Sequence, residues 1–264
     1  MPYQFMTFEQ KGNIAVVTLN RPEKLNALSV DFMGEIEKLT EDLKKDTRTR
    51  VVIFTGAGKH FSAGVDLADP ARRSGENAPL LERLRQSRIG PRMLKKVLDI
   101  DQITIAAVNG GAMGGGACIV SALDFRIGAE DCFVGYPECR LGMSLSWVSL
   151  PLCVHLVGPS RAKRLAILAR REFAKTLLEW GFLDEIAPKE KLIDQAMTMA
   201  EQYAAMPPIP AQMIKRSVNA ISSALDQALM HMDMDQLALT HQTEDFREGV
   251  TAFLEKRDPD FKGN

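Results

Sequence analysis

Apolar and polar positions along the chain fall into two regimes. In the first half, short apolar runs end on glycine, asparagine or proline. "NIAVVTLN" (13–20) alternates weakly and stops at Asn20-Arg21-Pro22, which predicts a strand followed by a breaker. "RVVIFTGAG" (50–58) and "ITIAAVNG" (103–110) are continuous apolar runs closed by glycine, the pattern of strands covered on both faces. Between them, Phe32, Met33, Ile36, Leu39 and Leu43 recur at helical spacing behind Ser29, a hydroxyl suited to cap the helix start. From Ser146 onward the pattern is mainly helical: "SWVSLPLCVHLVG", "PSRAKRLAILARR", "FAKTLLEWG" and "EKLIDQAMTMAEQYAAM". "PPIP" (207–210) breaks this run before a last helical stretch over 211–257. Strands early and helices late predict an α/β core over residues 1–200 and a helical region over 201–264. No fixed-period repeat or low-complexity tract interrupts this plan.

The segment 66–92 is charged, carries proline and glycine, and reads either as a mobile border of a site or as a surface loop. Met230, Met232 and Met234 form a stripe whose plainest use is core or subunit packing.

Composition narrows the function classes. The 264 residues carry a net charge of -1 with 25% charged residues of both signs, so no basic surface is set aside for nucleic acid or membrane. The first ten residues lack a basic region followed by an apolar run, and no apolar stretch reaches the roughly 20 residues of a membrane span, so a cytoplasmic protein is expected. An organelle matrix would look similar. Cys118, Cys132, Cys139 and Cys153 show no paired short spacing, which predicts reduced thiols and neither a zinc site nor a disulfide framework. Acids and histidines show no ligand spacing, so no metal is expected.

Candidate chemistry lies in two glycine-bearing loops. A buried strand runs into Gly110-Gly111-Ala112-Met113-Gly114-Gly115-Gly116 and then "ACIVSAL", which exposes backbone amides at a helix start. No Lys-Ser or Lys-Thr follows, so it is not a P-loop, and the glycine spacing is not that of a dinucleotide site. It is either an oxyanion hole or a place of close helix–strand packing. "GAGKHFSAGVDL" (56–67) is a second strand-to-loop junction with small residues at Ser62, Ala63 and Gly64. Two such junctions, each offering one amide, suit an oxygen that gains negative charge, such as that of a thioester enolate.

These stretches, with "LNRPEKLNALS", "AAVNGGAMGGGACIVSALDFRIGAED", "VGYPECRLG", "EWGFLDEIAP" and "FREGVTAFLEKRDPDF", resemble the enoyl-CoA hydratase/isomerase, or crotonase, superfamily in order and over nearly the whole chain. The resemblance implies a crotonase-like spiral core of repeated ββα units, a C-terminal helical trimerisation region, a homotrimer or a hexamer built as a dimer of trimers, and a coenzyme A thioester as substrate with no separate cofactor. Position by position, it implies that Ala63 and Gly115 supply the oxyanion-hole amides. Lys24, Ala27 and Leu28 match the segment that lies along CoA. Val65, Asp66 and Leu67 match the turn at its adenine end, and Phe253 and Lys256 resemble tail residues that reach CoA.

Hydratases of the family pair two glutamates around a water. Here the first position is Cys118 and the second is kept as Glu138 in "GYPECRLG". A buried thiol has a raised pKa and behaves as a small hydrophobe, so Cys118 does not replace a carboxylate. One acid beside an enolate site supports a proton shuttle that moves a double bond from β,γ to α,β. Hydration by Glu138 alone stays open, as does a non-catalytic member that binds CoA or RNA, the RNA version being disfavoured by the absence of a basic stripe. Glu138 needs a pKa raised by burial to act as a base near neutral pH. Beyond it, "MSLSWVSLPL" (143–152) departs from the family's glycine-rich run, and Trp147 either walls the acyl pocket with Cys118 or fills core. His60 and His155 lack acid and nucleophile partners in sequence.

Overall fold

The computed structural model describes residues 3–73, 78–226, 228 and 232–264; Met230 and residues 74–77 of the 66–92 segment lie outside them. The elements run β1 (Met6–Lys11), β2 (Ile14–Leu19), α1 (Val30–Lys45), β3 (Val51–Gly56), α2 (Pro70–Arg73), α3 (Leu80–Ser87), α4 (Ile89–Leu98), β4 (Ile103–Val108), β5 (Gly111–Met113), α5 (Gly115–Ala122), β6 (Phe125–Ala129) and β7 (Phe133–Gly135). Then come α6 (Ser149–Ile167), β8 (Glu172–Phe173), α7 (Ala174–Glu179), β9 (Glu185–Ala187), α8 (Leu192–Ala204), α9 (Pro208–Ser222), α10 (Asp233–Thr240) and α11 (Glu244–Glu255).

Six strands form the main sheet in the order β1-β2-β3-β4-β6-β9. Only β1–β2 is antiparallel; the other pairs are parallel, with Val16 opposite Ile53 and Ile53 opposite Ile105. Parallel strands need covered faces, and their side chains fit: Val51, Val52, Ile53, Ile105, Ala106 and Val108 are fully buried. Helix α8 packs on β3, β4 and β6. Helix α1 buries the five residues its periodicity selected, and the Ser29 hydroxyl accepts the Phe32 amide at 3.2 Å.

A second sheet, β5-β7-β8, stands beside the glycine loop, with β5 and β7 parallel. Its strands of two or three residues are too short to carry a sequence period. The expected helix at 146 starts at Ser149, because Trp147 and Val148 both hold left-handed backbone (φ 65° and 62°). The two helical runs that follow are one element bent at Gly158-Pro159, where Gly158 has φ 78°. Among the described residues the last stretch is divided into separate helices, α9, α10 and α11, instead of one; Thr243 caps α11 by accepting the Phe246 amide at 3.0 Å.

Candidate active site

Three segments lie side by side where the parallel strands end. Isolated parallel bridges join Leu28 to Val65 and Ser62 to Ala112. The Leu28 amide donates to Gly64 O at 2.7 Å and the Asp66 amide to Leu28 O at 3.0 Å; the Met113 amide donates to Ser62 O at 2.9 Å. Loop 62–66 is thus stitched to residues 25–28 on one side and to the glycine loop on the other.

These bonds decide which amides face the glycine loop. The amide of Ala63 donates to Leu25 O at 2.9 Å, on the side away from the glycines, so it is not available to an oxyanion. This corrects the expectation at Ala63. In a trans peptide N–H and C=O point in opposite directions. Gly64 O faces Leu28, so the Val65 amide faces the other way, toward the glycine loop, and it has no partner among the described residues. Across from it, the Gly114 amide donates to Gly135 O and the Cys118 amide to Gly114 O, while the Gly115 amide, in the first turn of α5, has no partner among the described residues. Close packing makes the loops meet: a β-carbon on Gly64 would lie 2.6 Å from Met113 O and 3.1 Å from Gly115 N.

Glu138 opens a 3-10 turn, Glu138–Leu141, closed by Gly142 at φ 69°. Its Oε1 lies against the same loop, 3.1 Å from where a Gly114 β-carbon would stand. The residue keeps partial exposure, yet Oε2 is sealed from solvent and has no hydrogen-bond partner among the described residues. Burial pushes its pKa up to about 7, where a carboxyl both takes and returns a proton at neutral pH. Cys118 is buried, and burial first, then the Glu138 charge, push its thiol far above the ordinary range, so it stays neutral. Tyr136, behind the turn, is fully buried with its hydroxyl 2.6 Å from that of Ser121.

The other expected positions separate. Ala27 and Leu28 are buried in the stitched ladder, while Lys24 and Leu67 are exposed at its ends. Asp66 works structurally: burial opposes its charge, but the Arg21 guanidinium at 2.7 Å and the Ala68 amide hold its carboxyl below the ordinary range. Phe253 and Lys256 are exposed at the end of α11, and no hydrogen bond or ion pair among the described residues ties them to 24–28 or 62–67. His60 Nδ1 accepts the Gly111 amide at 3.0 Å, and burial, then Lys189 and Arg171, lower its pKa, so it buttresses the loop. His155 pairs with Asp226 at 2.9 Å.

Trp147 is packed against the site, with Cζ3 2.8 Å from where a Gly115 β-carbon would stand. Asp233, at the start of α10, accepts the Val148 amide at 2.8 Å; burial raises its pKa, and its charge is felt at Cys118. Neither Asp233 nor the Val65 amide was found as such from sequence. Asp233 carries no motif, while the donor role at Val65 follows from the alternation of peptide directions. Among the described residues, no group of three or more His, Cys, Asp and Glu is arranged to hold a metal. No helix among them is long and apolar enough to cross a membrane.

An enoyl-CoA hydratase/isomerase family model matches residues 9–264. A crotonyl-CoA hydratase of Syntrophomonas wolfei is 30% identical over 99% of both chains. A 1,2-epoxyphenylacetyl-CoA isomerase of Escherichia coli is 29% identical over 98% of this chain and 99% of its own. In structure, a carnitinyl-CoA hydratase from Mycobacterium avium superposes with a TM-score of 0.86 over 100% of both chains at 28% identity.

Proposed function

The chain belongs to the enoyl-CoA hydratase/isomerase (crotonase) family of acyl-CoA enzymes, and on that premise we propose that it shifts the double bond of an enoyl-CoA from β,γ to α,β. The observation that carries this reading is Glu138: one buried carboxylate oxygen and, in the loop beside it, the Gly115 amide, both without a partner among the described residues, and a carboxyl pKa near neutrality. Glu138 takes a proton from Cα, and the electron pair moves into the thioester carbonyl. The resulting dienolate oxygen is held by the amides of Val65 and Gly115. Glu138 then returns the proton at Cγ, and the double bond settles between Cα and Cβ. Nothing is consumed, so no cofactor beyond the thioester is required.

CoA lies along the ladder of residues 25–28 and 64–66 in this reading, with Lys24 and Leu67 at its exposed ends and Phe253 and Lys256 reaching it from the same or a neighbouring chain. Association as a homotrimer, or a hexamer of two trimers, is supported by the outward face of α9, where Ile214, Val218 and Ile221 stand exposed one turn apart. Four unpaired cysteines suit a reducing cytoplasm.

A second reading, hydration using Glu138 alone, is favoured by relatives named hydratases, among them the crotonyl-CoA enzyme. A panel of 2-enoyl- and 3-enoyl-CoA thioesters of differing chain length and ring type, scored separately for double-bond migration and for hydroxyacyl product, separates the two. Migration without hydration supports the isomerase. Hydration of 2-enoyl-CoA replaces it with the second reading, and neither reaction would point to a binding protein.

A further inference from the structure

Trp147 and Val148 are consecutive non-glycine residues in left-handed backbone, and Val148 is β-branched. Left-handed backbone is unfavourable for side chains with a β-carbon, and such conformations persist only where surroundings over-determine them. Two contacts do so here. The Asp233 carboxylate, brought by α10, accepts the Val148 amide at 2.8 Å, and the Ser149 hydroxyl donates to Trp147 O at 3.1 Å.

The turn delivers the indole to one place. Its Cζ3 and Cη2 edge sits on the α-carbon of Gly115, 2.8 and 3.0 Å from a β-carbon built there. The adjoining part of the indole, Cζ2, Cε2 and Nε1, fills the space that a β-carbon on Gly90 of α4 would occupy. The ring therefore bridges α4 and α5, and both helices are glycine where it touches them. An acyl group whose thioester oxygen rests on the Gly115 amide starts beside this ring.

We propose that Trp147 is the specificity-determining residue of the acyl pocket, closing it toward α4 so that short acyl groups are preferred, and that Asp233 is a positioning residue that holds it there. This rests on the acyl-CoA reading of the site. An indole wedged between two glycines cannot yield to a long chain without moving a helix, so the ring sets how far an acyl chain can run from Gly115 toward α4. Because the holding carboxylate comes from α10, the length limit is set from outside the spiral core.

The test is calorimetric titration of the full chain with CoA, butanoyl-CoA, octanoyl-CoA and dodecanoyl-CoA, which needs no turnover. Wild type should bind butanoyl-CoA more tightly than dodecanoyl-CoA by about tenfold or more. Trp147→Ala should abolish that preference and Trp147→Phe should keep part of it. Asp233→Leu should reduce it, short of the loss in Trp147→Ala, while Asp233→Asn, which retains an acceptor for the Val148 amide, should behave as wild type. The Phe and Asn variants serve if the larger changes unfold the chain. Thioesters that bind with the same length dependence in wild type and every variant would overturn this inference alone. No thioester binding more tightly than free CoA would overturn the acyl-CoA reading as well.

Discussion

Glu138 carries the largest consequences of any side chain. Glu138→Gln should lower kcat by about 10³-fold, within the range of a lost general base. In the free wild-type enzyme kcat/KM should rise with pH through about 7, because only the ionised carboxyl accepts the Cα proton. Stability should run the opposite way. A carboxyl raised from 4.5 to about 7 by burial favours the fold while neutral, and that contribution is lost between those two values as pH rises. The loss corresponds to about 3 kcal/mol, so Glu138→Gln should be more stable than wild type at pH 8, as read by thermal melts at both pH extremes. The sequence pointed to Glu138 and to the missing acid at Cys118, because both sit in recognisable turns. It could not separate Ala63 from Val65, since the direction of an amide depends on the bonds of its neighbours. Asp233 was illegible because its reach depends on where α10 docks.

At the scale of elements, the turn bearing Glu138 is braced from behind by α11. A β-carbon on Gly249 would stand 2.6 Å from the Leu141 carbonyl carbon, and one on Gly142 would stand 2.6 Å from Asp245 O. Gly249→Val should therefore push the turn off α11, lowering kcat and moving the midpoint of the pH profile toward that of an ordinary glutamate as water reaches the carboxyl. A melt that shows the variant folded with an unaltered profile would contradict this brace. A second anchor joins α9 to the sheet, where Lys215 Nζ lies 2.7 Å from Asp124 Oδ2 and 2.7 Å from Gln102 O. Removing one partner of such a buried pair costs about 3–5 kcal/mol, so Lys215→Met should be strongly destabilised in denaturant titrations, and Asp124→Asn should recover part of the loss. Periodicity located α1, β2, β3 and β4 because each buries a full face. Strands β5, β7 and β8 had too few residues to show alternation, and the left-handed turn at Trp147 was hidden inside an apolar run that reads as helix.

The whole molecule combines a parallel sheet that ends in the site with a helical region that reaches back to it twice, through α10 to Trp147 and through α11 to the Glu138 turn. The helical character of the last stretch was legible because it lies in composition over long windows; the strands β8 and β9 beyond Ser146, and the return of the last helices to the site, were not. The exposed isoleucines of α9 belong to this scale. On the proposed association as a trimer or hexamer, Ile214→Glu with Ile221→Glu should reduce the mass seen by light scattering to that of one copy; a wild type that is already monomeric would contradict the proposed association, and an oligomer unchanged by the two substitutions would exclude that face as the contact. The central claim, that Glu138 moves a proton at the carbon beside a thioester, is tested most directly by incubating the protein with saturated butanoyl-CoA in deuterium oxide. Deuterium should enter Cα with the wild-type protein and fail to enter with Glu138→Gln, while exchange at equal rates in both, or none in wild type, would contradict the account.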